Sequence, residues 1–394
     1  MKFYYQRSKD GWICFLCIII FALGVLLIVS GNLEAENILG KLKKSVLLTA
    51  EKIQGLNLSL KEAMWYRKLA SGEVQCQLCP LNCVIDEGKR GLCGIRANVG
   101  GKLRLLTFGK PVVLEIEPVE KQPFFHYLPG SQTLVVGTVG CNLRCKFCQN
   151  WVISQALPEN VTPMNFSPEE VVKMAKENGC QSITFACTEP IVFYEYMYEI
   201  ANAAKKNGLR VLLKTAAFVN PEPIKELCKY IDAVNIDIKS SQEEFYKKYC
   251  DGNLAPVLEA TKIIKQSGKW VEISNLIIPG VNDSKQEIKD VTDWVIKNLG
   301  EETPIHFVRF IPNYKLADLP PTPFETLENA HNIASSLGAK FVYVVIVPGN
   351  KYEDTFCPVC NKLLIGRNGF EVNEFHIKNG HCEYCGAKIP GVFE

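Results

Sequence analysis

The sequence predicts an α/β protein built on a partial (β/α)6-type TIM barrel. Between residues 133 and 347, short apolar segments alternate with amphipathic segments of helical period. Repeated β-α units place their strands side by side in a parallel sheet, and right-handed crossovers curl that sheet into a full or partial barrel. A cysteine-rich loop follows the first of these strands directly, where ligands bind in such folds.

The core elements follow from local signals. Seven apolar segments read as strands: residues 133–139, 182–187, 209–215, 232–239, 270–278, 304–311 and 341–347. The first helix of the core has Ser167 as N-cap, Pro168 at its first position, Glu170 completing a capping box and Gly179 after its end. Further helices begin near residues 190, 222, 241, 283 and 323.

Composition limits the class of protein. Lys and Arg total 44 against 42 Asp and Glu, a net charge of +2, so no nucleic-acid partner is indicated. The 17 cysteines are unusual, and most of them fall into three tight groups, which suits metal sites better than a disulfide framework in a chain of 394 residues. Five segments are predicted: a membrane anchor (1–35), a helical linker (36–70), a four-cysteine module (71–130), the barrel core (131–350) and a zinc-ribbon-like module (351–394).

The N-terminal segment predicts a transmembrane helix. Residues 11–33 carry no charge and are long enough to cross a bilayer. A retained anchor is favoured over a signal peptide, because the apolar run is long and Leu33-Glu34-Ala35 is a poor cleavage site. Flanking charges leave the orientation open. Metal-binding cysteines need a reducing compartment. We therefore expect a single-pass membrane protein with its catalytic domain facing the cytoplasm.

Four cysteines form the first group, Cys76, Cys79, Cys83 and Cys93. So many thiols in so short a span predict a closed metal site. Structural zinc and an auxiliary iron–sulfur cluster both accept four thiolates, so the sequence leaves these two readings open. Four free thiols are the third reading.

The central loop contains three cysteines, Cys141, Cys145 and Cys148, with the aromatic residue Phe147 just before the last. Three thiolates can hold three irons of a cubic 4Fe–4S cluster and leave the fourth iron open for a small molecule. A structural zinc site would require four protein ligands. The spacing and the preceding strand therefore favour the cluster.

The tail contains two C-x2-C pairs separated by 21 residues, Cys357 with Cys360 and Cys382 with Cys385. Paired knuckles of this kind predict a zinc ribbon. A rubredoxin-like iron site is the alternative, and disulfides are disfavoured in a reducing compartment.

The C-x3-C-x-aromatic-C pattern resembles that of the radical S-adenosylmethionine (SAM) enzymes. Within that superfamily, residues 61–393 are similar to the AmmeMemoRadiSam-system proteins, relatives of the pyruvate formate-lyase activating enzymes. The stretches that carry this similarity are residues 74–80, 118–130, 140–154, 188–190, 237–239, 278–283 and 388–391.

The resemblance implies an enzyme in which SAM chelates the open iron of the cluster. One electron then cleaves SAM to methionine and a 5′-deoxyadenosyl radical, which abstracts hydrogen from an unidentified substrate. The resemblance also implies which residues contact SAM. One of these contacts has a physical reason, because a carboxylate at a strand end can accept hydrogen bonds from an ammonium group. The implied SAM-binding residues are Phe147, Thr188, Glu189, Asp237 and Lys239. The alternative for Glu189 is an acid favoured by a helix N-terminus, and the alternative for Asp237 and Lys239 is a solvated pair at a strand end.

Three further residues are candidates for substrate binding, His126, His306 and Arg309, and no catalytic residue is assigned. The third strand ends without the Asn-Gly turn that is usual in relatives. Whether this strand end contacts SAM or the substrate therefore stays open. The implied partners are a flavodoxin or ferredoxin-type electron donor, a Memo-like protein and an AMMECR-type protein. Two other functions stay open: activation of a glycyl radical enzyme, and a non-catalytic electron-transfer or scaffold role.

Overall fold

A computed structural model describes residues 47–394. Its first part is a small cysteine-containing module. One short helix, α1 (Ala50–Gly55), begins after the N-cap Thr49. Two three-stranded antiparallel sheets follow, with strand orders β1-β6-β5 and β2-β3-β4. Their strands are β1 (Lys61–Glu62), β2 (Tyr66–Lys68), β3 (Val74–Cys76), β4 (Val84–Ile85), β5 (Arg96–Asn98) and β6 (Leu103–Leu105).

The central element is an open eight-stranded sheet with the strand order β14-β13-β12-β11-β10-β9-β8-β7. Its strands are β7 (Val113–Pro118), β8 (Gln132–Gly137), β9 (Ser182–Phe185), β10 (Arg210–Thr215), β11 (Ala233–Asp237), β12 (Trp270–Ile277), β13 (Ile305–Arg309) and β14 (Val342–Val345). All neighbours from β8 to β14 are parallel, whereas β7 pairs antiparallel with β8. The parallel strands therefore end at one edge of the sheet.

Helices connect the parallel strands, as the sequence predicts. They are α2 (Trp151–Ser154), α3 (Pro168–Glu177), α4 (Tyr194–Lys206), α5 (Pro221–Leu227), α6 (Glu243–Phe245), α7 (Leu254–Gln266), α8 (Lys285–Leu299) and α9 (Phe324–Ser336), with a π-helical turn at Tyr246–Cys250. The capping box of α3 is present: Ser167 accepts from the Glu170 amide, and the Glu170 carboxylate accepts from the Ser167 amide. The helices pack apolar faces on the buried strands and form one continuous core.

The tail adds five short strands: β15 (Thr355–Phe356), β16 (Leu363–Asn368), β17 (Glu371–Phe375), β18 (Ile377–Lys378) and β19 (His381–Cys382). The tail is hydrogen-bonded to the segment that precedes β8. The Val392 amide donates to the His126 carbonyl at 2.8 Å, and the Leu128 amide donates to the Val392 carbonyl at 2.6 Å. The Arg367 guanidinium also donates to the Phe125 carbonyl at 2.8 Å. The tail and the core therefore share backbone hydrogen bonds.

The structure forms a strand within each of the seven predicted segments and thus has the α/β class that the sequence predicts. The sheet has seven parallel strands rather than six, plus the antiparallel strand β7, which the sequence analysis missed. Strands β7 and β14 lie at opposite edges of the sheet, so it is open, and its curvature into a partial barrel stays a prediction.

Two predictions need correction. The linker over residues 36–70 is not helical throughout: of its described part only α1 is a helix, and β1 and β2 are strands, because they pair with β6 and β3 of the cysteine module. The predicted localisation, a single-pass membrane protein with its catalytic domain facing the cytoplasm, is wrong for the described residues. Among residues 47–394 no helix is long and apolar enough to cross a membrane. The apolar segment 11–33 lies outside the described residues.

Candidate active site

The cysteine loop begins after β8, where its backbone packs closely against the N-terminal module. Gly140 has a φ of +97°, and a Cβ there would lie 2.8 Å from Ile95 Cγ2 and 2.9 Å from the Cys93 carbonyl oxygen. Only glycine fits both this conformation and this contact. The side chain of Asn142 donates to the Phe218 carbonyl at 2.7 Å, which ties the loop to the segment after β10. The loop that carries Cys141 is therefore held on two sides.

The loop borders a cavity of about 580 Å³ at the carboxyl ends of the parallel strands. The sulfur-bearing residues of the loop and all five residues predicted to contact SAM line this cavity: Cys141, Cys145, Cys148, Phe147, Thr188, Glu189, Asp237 and Lys239. They come from the ends of β8, β9 and β11, which meet at the same edge because the strands are parallel. The site brings together residues far apart in sequence, and their roles in SAM binding stay a prediction.

Glu189 is a buried carboxylate held by three donors. The Thr215 hydroxyl donates to it at 2.6 Å, the Ala216 amide at 2.9 Å and the Ile191 amide at 3.2 Å. Burial raises the pKa of this carboxyl, and the three hydrogen bonds oppose the rise. Glu189 therefore caps the helical turn at Pro190–Phe193 while also lining the cavity.

A second charged group lies at the ends of β10 and β11. Asp237 accepts from Lys239 at 3.1 Å and from Lys214, whose ammonium also donates to the Asn235 side chain at 2.6 Å. Burial alone would raise the pKa of Asp237, but the two ammonium groups outweigh it and hold the pKa at about 2. Two cations thus face one carboxylate, which leaves an excess positive charge on this wall of the cavity.

The three loop cysteines fit a cluster better than a single ion. Burial raises the pKa of Cys141 well above its ordinary value and also raises the pKa of Cys148, so both thiols need a bound cation to ionise at neutral pH. The neighbouring Cys250 thiol lowers the pKa of Cys145. The three sulfurs do not lie within 4.8 Å of one another, whereas one ion would require that spacing.

The four tail cysteines have a different geometry. Within residues 47–394 they form the one group of three or more His, Cys, Asp or Glu residues whose ligand atoms all lie within 4.8 Å of one another. Cys357 Sγ lies 3.7 Å from Cys385 Sγ, and Cys360 Sγ lies 3.8 Å from Cys382 Sγ. A tetrahedral ion with metal–sulfur bonds of about 2.3 Å separates its sulfurs by about 3.8 Å. These residues could hold one zinc ion.

The candidate substrate residues do not line the cavity. The side chains of His126 and His306 are fully buried: His126 Nε2 lies 2.6 Å from the Tyr343 hydroxyl, and His306 Nε2 lies 2.7 Å from Glu272. Arg309 donates from Nε to the Thr322 carbonyl at 3.0 Å. The structure therefore gives these three residues packing partners and no place on the cavity wall.

Lys214 and Glu120 are among the cavity residues that the sequence analysis missed. Lys214 follows the apolar residues 211–213 of β10, and a lysine near the end of a buried strand was a signal that the sequence offered. Glu120 lines the cavity from the segment after β7, where it accepts from the Gly130 amide at 2.9 Å. The position of Glu120 depends on the antiparallel strand β7, and no local pattern in the sequence predicts that strand.

Comparison with known proteins adds independent information. A family model described as the radical SAM superfamily matches residues 135–295. The chain is 44% identical over 335 residues to an uncharacterised protein of Methanocaldococcus jannaschii, an alignment that covers 84% of this chain and 100% of that protein. The pyruvate formate-lyase-activating enzyme of Clostridium pasteurianum is 26% identical over 180 residues, covering 43% of this chain and 71% of the enzyme.

A third relative is the 4-hydroxyphenylacetate decarboxylase activating enzyme of Clostridioides difficile. It is 26% identical over 165 residues, which cover 39% of this chain and 52% of that enzyme. The matched family region starts within β8 and ends within α8, so it contains the cysteine loop, Glu189 and the lysine–aspartate group.

Proposed function

This chain belongs to the radical SAM superfamily, and from that premise we propose that it reductively cleaves SAM and uses the resulting radical to abstract hydrogen from a substrate held in the 580 Å³ cavity. One observation carries the proposal: the three loop cysteines and the charged residues Glu189, Asp237 and Lys239 line a single cavity. The narrower assignment to the AmmeMemoRadiSam group stays a prediction.

The donor set fits a 4Fe–4S cluster. Cys141, Cys145 and Cys148 supply three thiolates on one loop, at a spacing wider than a single ion allows. When bound, the cluster and SAM supply a one-electron reduction that breaks a carbon–sulfur bond of SAM and yields a 5′-deoxyadenosyl radical. The residues of the chain have to bind the two groups, orient them and exclude water.

The charges of the cavity complement the amino-acid part of SAM. Glu189 offers a carboxylate to an ammonium, and the excess positive charge of Lys214 and Lys239 over Asp237 attracts a carboxylate. Phe147 provides an apolar face beside Lys239, whose Nζ lies 5.9 Å from the ring centroid. We therefore assign Glu189 to the amino end and the two lysines to the carboxylate end of SAM.

The other wall of the cavity offers groups for the substrate. Glu115 and Glu117 of β7 and the following Lys121 line it, and Lys121 is paired with Glu117. A polar substrate would exchange hydrogen bonds with this wall. The buried residues His126 and His306 take no part in this proposal.

The named relatives favour a second candidate function, activation of a glycyl radical enzyme. Two of them are named as activating enzymes, one for pyruvate formate-lyase and one for 4-hydroxyphenylacetate decarboxylase. In that case the hydrogen donor would be a backbone segment of a partner protein. A glycyl radical signal formed in a partner on addition of this chain and SAM would distinguish the two functions.

The proposal is tested with the full chain, reconstituted anaerobically with iron and sulfide. Incubation with SAM and dithionite should yield 5′-deoxyadenosine and methionine. A flavodoxin or ferredoxin-type protein should replace dithionite as the electron donor. Absence of 5′-deoxyadenosine from protein that carries its full complement of iron would overturn the proposal.

A further inference from the structure

A second small cavity lies inside the N-terminal module. It has a volume of about 20 Å³ and is lined by the four cysteines of the first group together with apolar side chains and one arginine: Cys76, Cys79, Cys83, Cys93, Leu78, Ile85, Val192 and Arg96. A cavity needs about 10–15 Å³ to admit a single water. The four thiols thus converge on one small space among apolar side chains, with Cys76 and Cys79 buried and Cys83 and Cys93 partly exposed.

The distances between these four sulfurs differ from those between the sulfurs of the tail cysteines. Among residues 47–394, the tail cysteines are the one group of three or more potential ligands whose atoms lie within 4.8 Å of one another, and their distances suit one tetrahedral ion. No three sulfurs of Cys76, Cys79, Cys83 and Cys93 meet that condition, and neither do the three sulfurs of the cysteine loop. A four-iron cluster carries its ligands on separate irons, so it requires sulfurs set further apart than around a single ion.

Arg96 points to an anionic occupant of the cavity. Its side chain is only 2% exposed, and one terminal nitrogen donates to both oxygens of the buried Glu195, at 2.5 Å to each. Its Nε has no hydrogen-bond partner, although the residue lines the cavity. A buried donor without an acceptor is costly. The sulfur atoms of a cluster accept hydrogen bonds, and such bonds help to set its potential.

The N-terminal module is in direct contact with the cysteine loop. The Cys93 carbonyl closes on Gly140, and the guanidinium of Arg144 donates both to the Leu92 carbonyl and, at 2.7 Å, to the Cys141 carbonyl. On the other side, the Asn220 side chain donates to the Cys79 carbonyl at 3.2 Å. The second cavity therefore lies next to the loop that carries Cys141.

We propose that Cys76, Cys79, Cys83 and Cys93 hold a second 4Fe–4S cluster rather than a zinc ion. All four of its irons have a protein thiolate, so this cluster has no open position and does not bind SAM. Arg96 supplies a positive charge and a hydrogen bond to it. The inference is independent of the substrate of the enzyme.

The test uses the full chain with Cys141→Ala, Cys145→Ala and Cys148→Ala combined, because this variant leaves the N-terminal module intact. After anaerobic reconstitution and desalting it should retain about four irons and about four sulfides per chain, half of the wild-type content. Its reduced form should give the electron paramagnetic resonance (EPR) signal of a four-iron cluster, and addition of SAM should leave that signal unchanged.

A second variant identifies the ligands. Adding Cys76→Ser and Cys79→Ser to the loop variant should remove the remaining iron and sulfide, whereas adding Cys228→Ser, a buried cysteine in neither cavity, should not. A loop variant that contains no sulfide would overturn the proposal, as would one that binds about two zinc ions per chain. If the Cys76 variant fails to fold, the loop variant alone decides.

Discussion

The ammonium of Lys239 lies 3.1 Å from the carboxylate of Asp237, two residues earlier on the same strand end. Lys214 of the neighbouring strand contacts the other oxygen of the same carboxylate. One acid thus pairs with two lysines at the edge of the cavity. This arrangement explains how the wall of an otherwise buried site carries the positive charge that an anionic ligand group needs.

Replacing Asp237 should destabilise the protein. Asp237→Asn leaves two largely buried ammonium groups without a counter-ion. We expect a loss of about 2 kcal/mol in the free energy of unfolding, less than the 3–5 kcal/mol typical of fully buried pairs, because the carboxylate is about one third exposed. Thermal melting should show this loss as a lower melting temperature. Glu222→Gln, which breaks the exposed pair with Lys225, is the control, and an equal loss there would contradict the account.

Replacing Glu189 should weaken SAM binding while the iron content stays. A charge-assisted hydrogen bond contributes about 1.5–3 kcal/mol, so Glu189→Gln should raise the Kd for SAM by about 10–150-fold. Equilibrium binding to the reconstituted protein measures this effect. Glu177→Gln on the exposed end of α3 is the matched control, and an unchanged Kd in the Glu189 variant would remove the residue from the SAM site.

Glu120 should make stability depend on pH. Burial raises its pKa from 4.5 to about 7, although Arg367 opposes the shift. Between these two values the folded state holds a proton that the unfolded state releases, so stability falls as pH rises from about 4.5 to about 7. The total amounts to about 3 kcal/mol.

The variant Glu120→Gln lacks this titration. Its melting temperature relative to wild type should therefore rise between pH 5 and pH 8 by the equivalent of up to about 3 kcal/mol. Glu169→Gln, an exposed acid in the first turn of α3, should show no such trend. A constant difference between the Glu120 variant and wild type across this range would refute the prediction.

Local signals were enough to predict the core. The capping box at Ser167 and Glu170 and the seven apolar segments are short-range patterns, and the structure forms the corresponding elements. The cysteine loop was readable for the same reason, since its spacing and the strand before it lie within a few residues.

Features that depend on long-range pairing could not be predicted. Residues 61–68 have a composition that suits a helix, but β1 and β2 form because β6 and β3 supply partners. The sequence makes His126 and His306 candidates for substrate binding, but both are buried among Glu272, Tyr343 and aromatic rings. Which residues share the cavity depends on how the strands are ordered in the sheet, and the sequence alone does not give this order.

The tail should bind zinc independently of the iron sites. Cys360→Ser combined with Cys385→Ser should remove about one zinc per chain, because the remaining two sulfurs cannot hold a tetrahedral ion. The iron and sulfide contents should stay as in wild type. Metal analysis of the anaerobically purified protein measures both, and the prediction fails if zinc is absent from the wild-type protein or is unaffected in the variant.

The central claim is that the cluster on Cys141, Cys145 and Cys148 has an open iron that binds the amino-acid part of SAM. The most direct measurement is electron–nuclear double resonance on the reduced protein with SAM labelled by nitrogen-15 at its amino group. We predict hyperfine coupling between the cluster and that nitrogen, lost when the three cysteines are replaced by alanine. A fully reconstituted protein without such coupling, or coupling that survives in the alanine variant, would contradict the account.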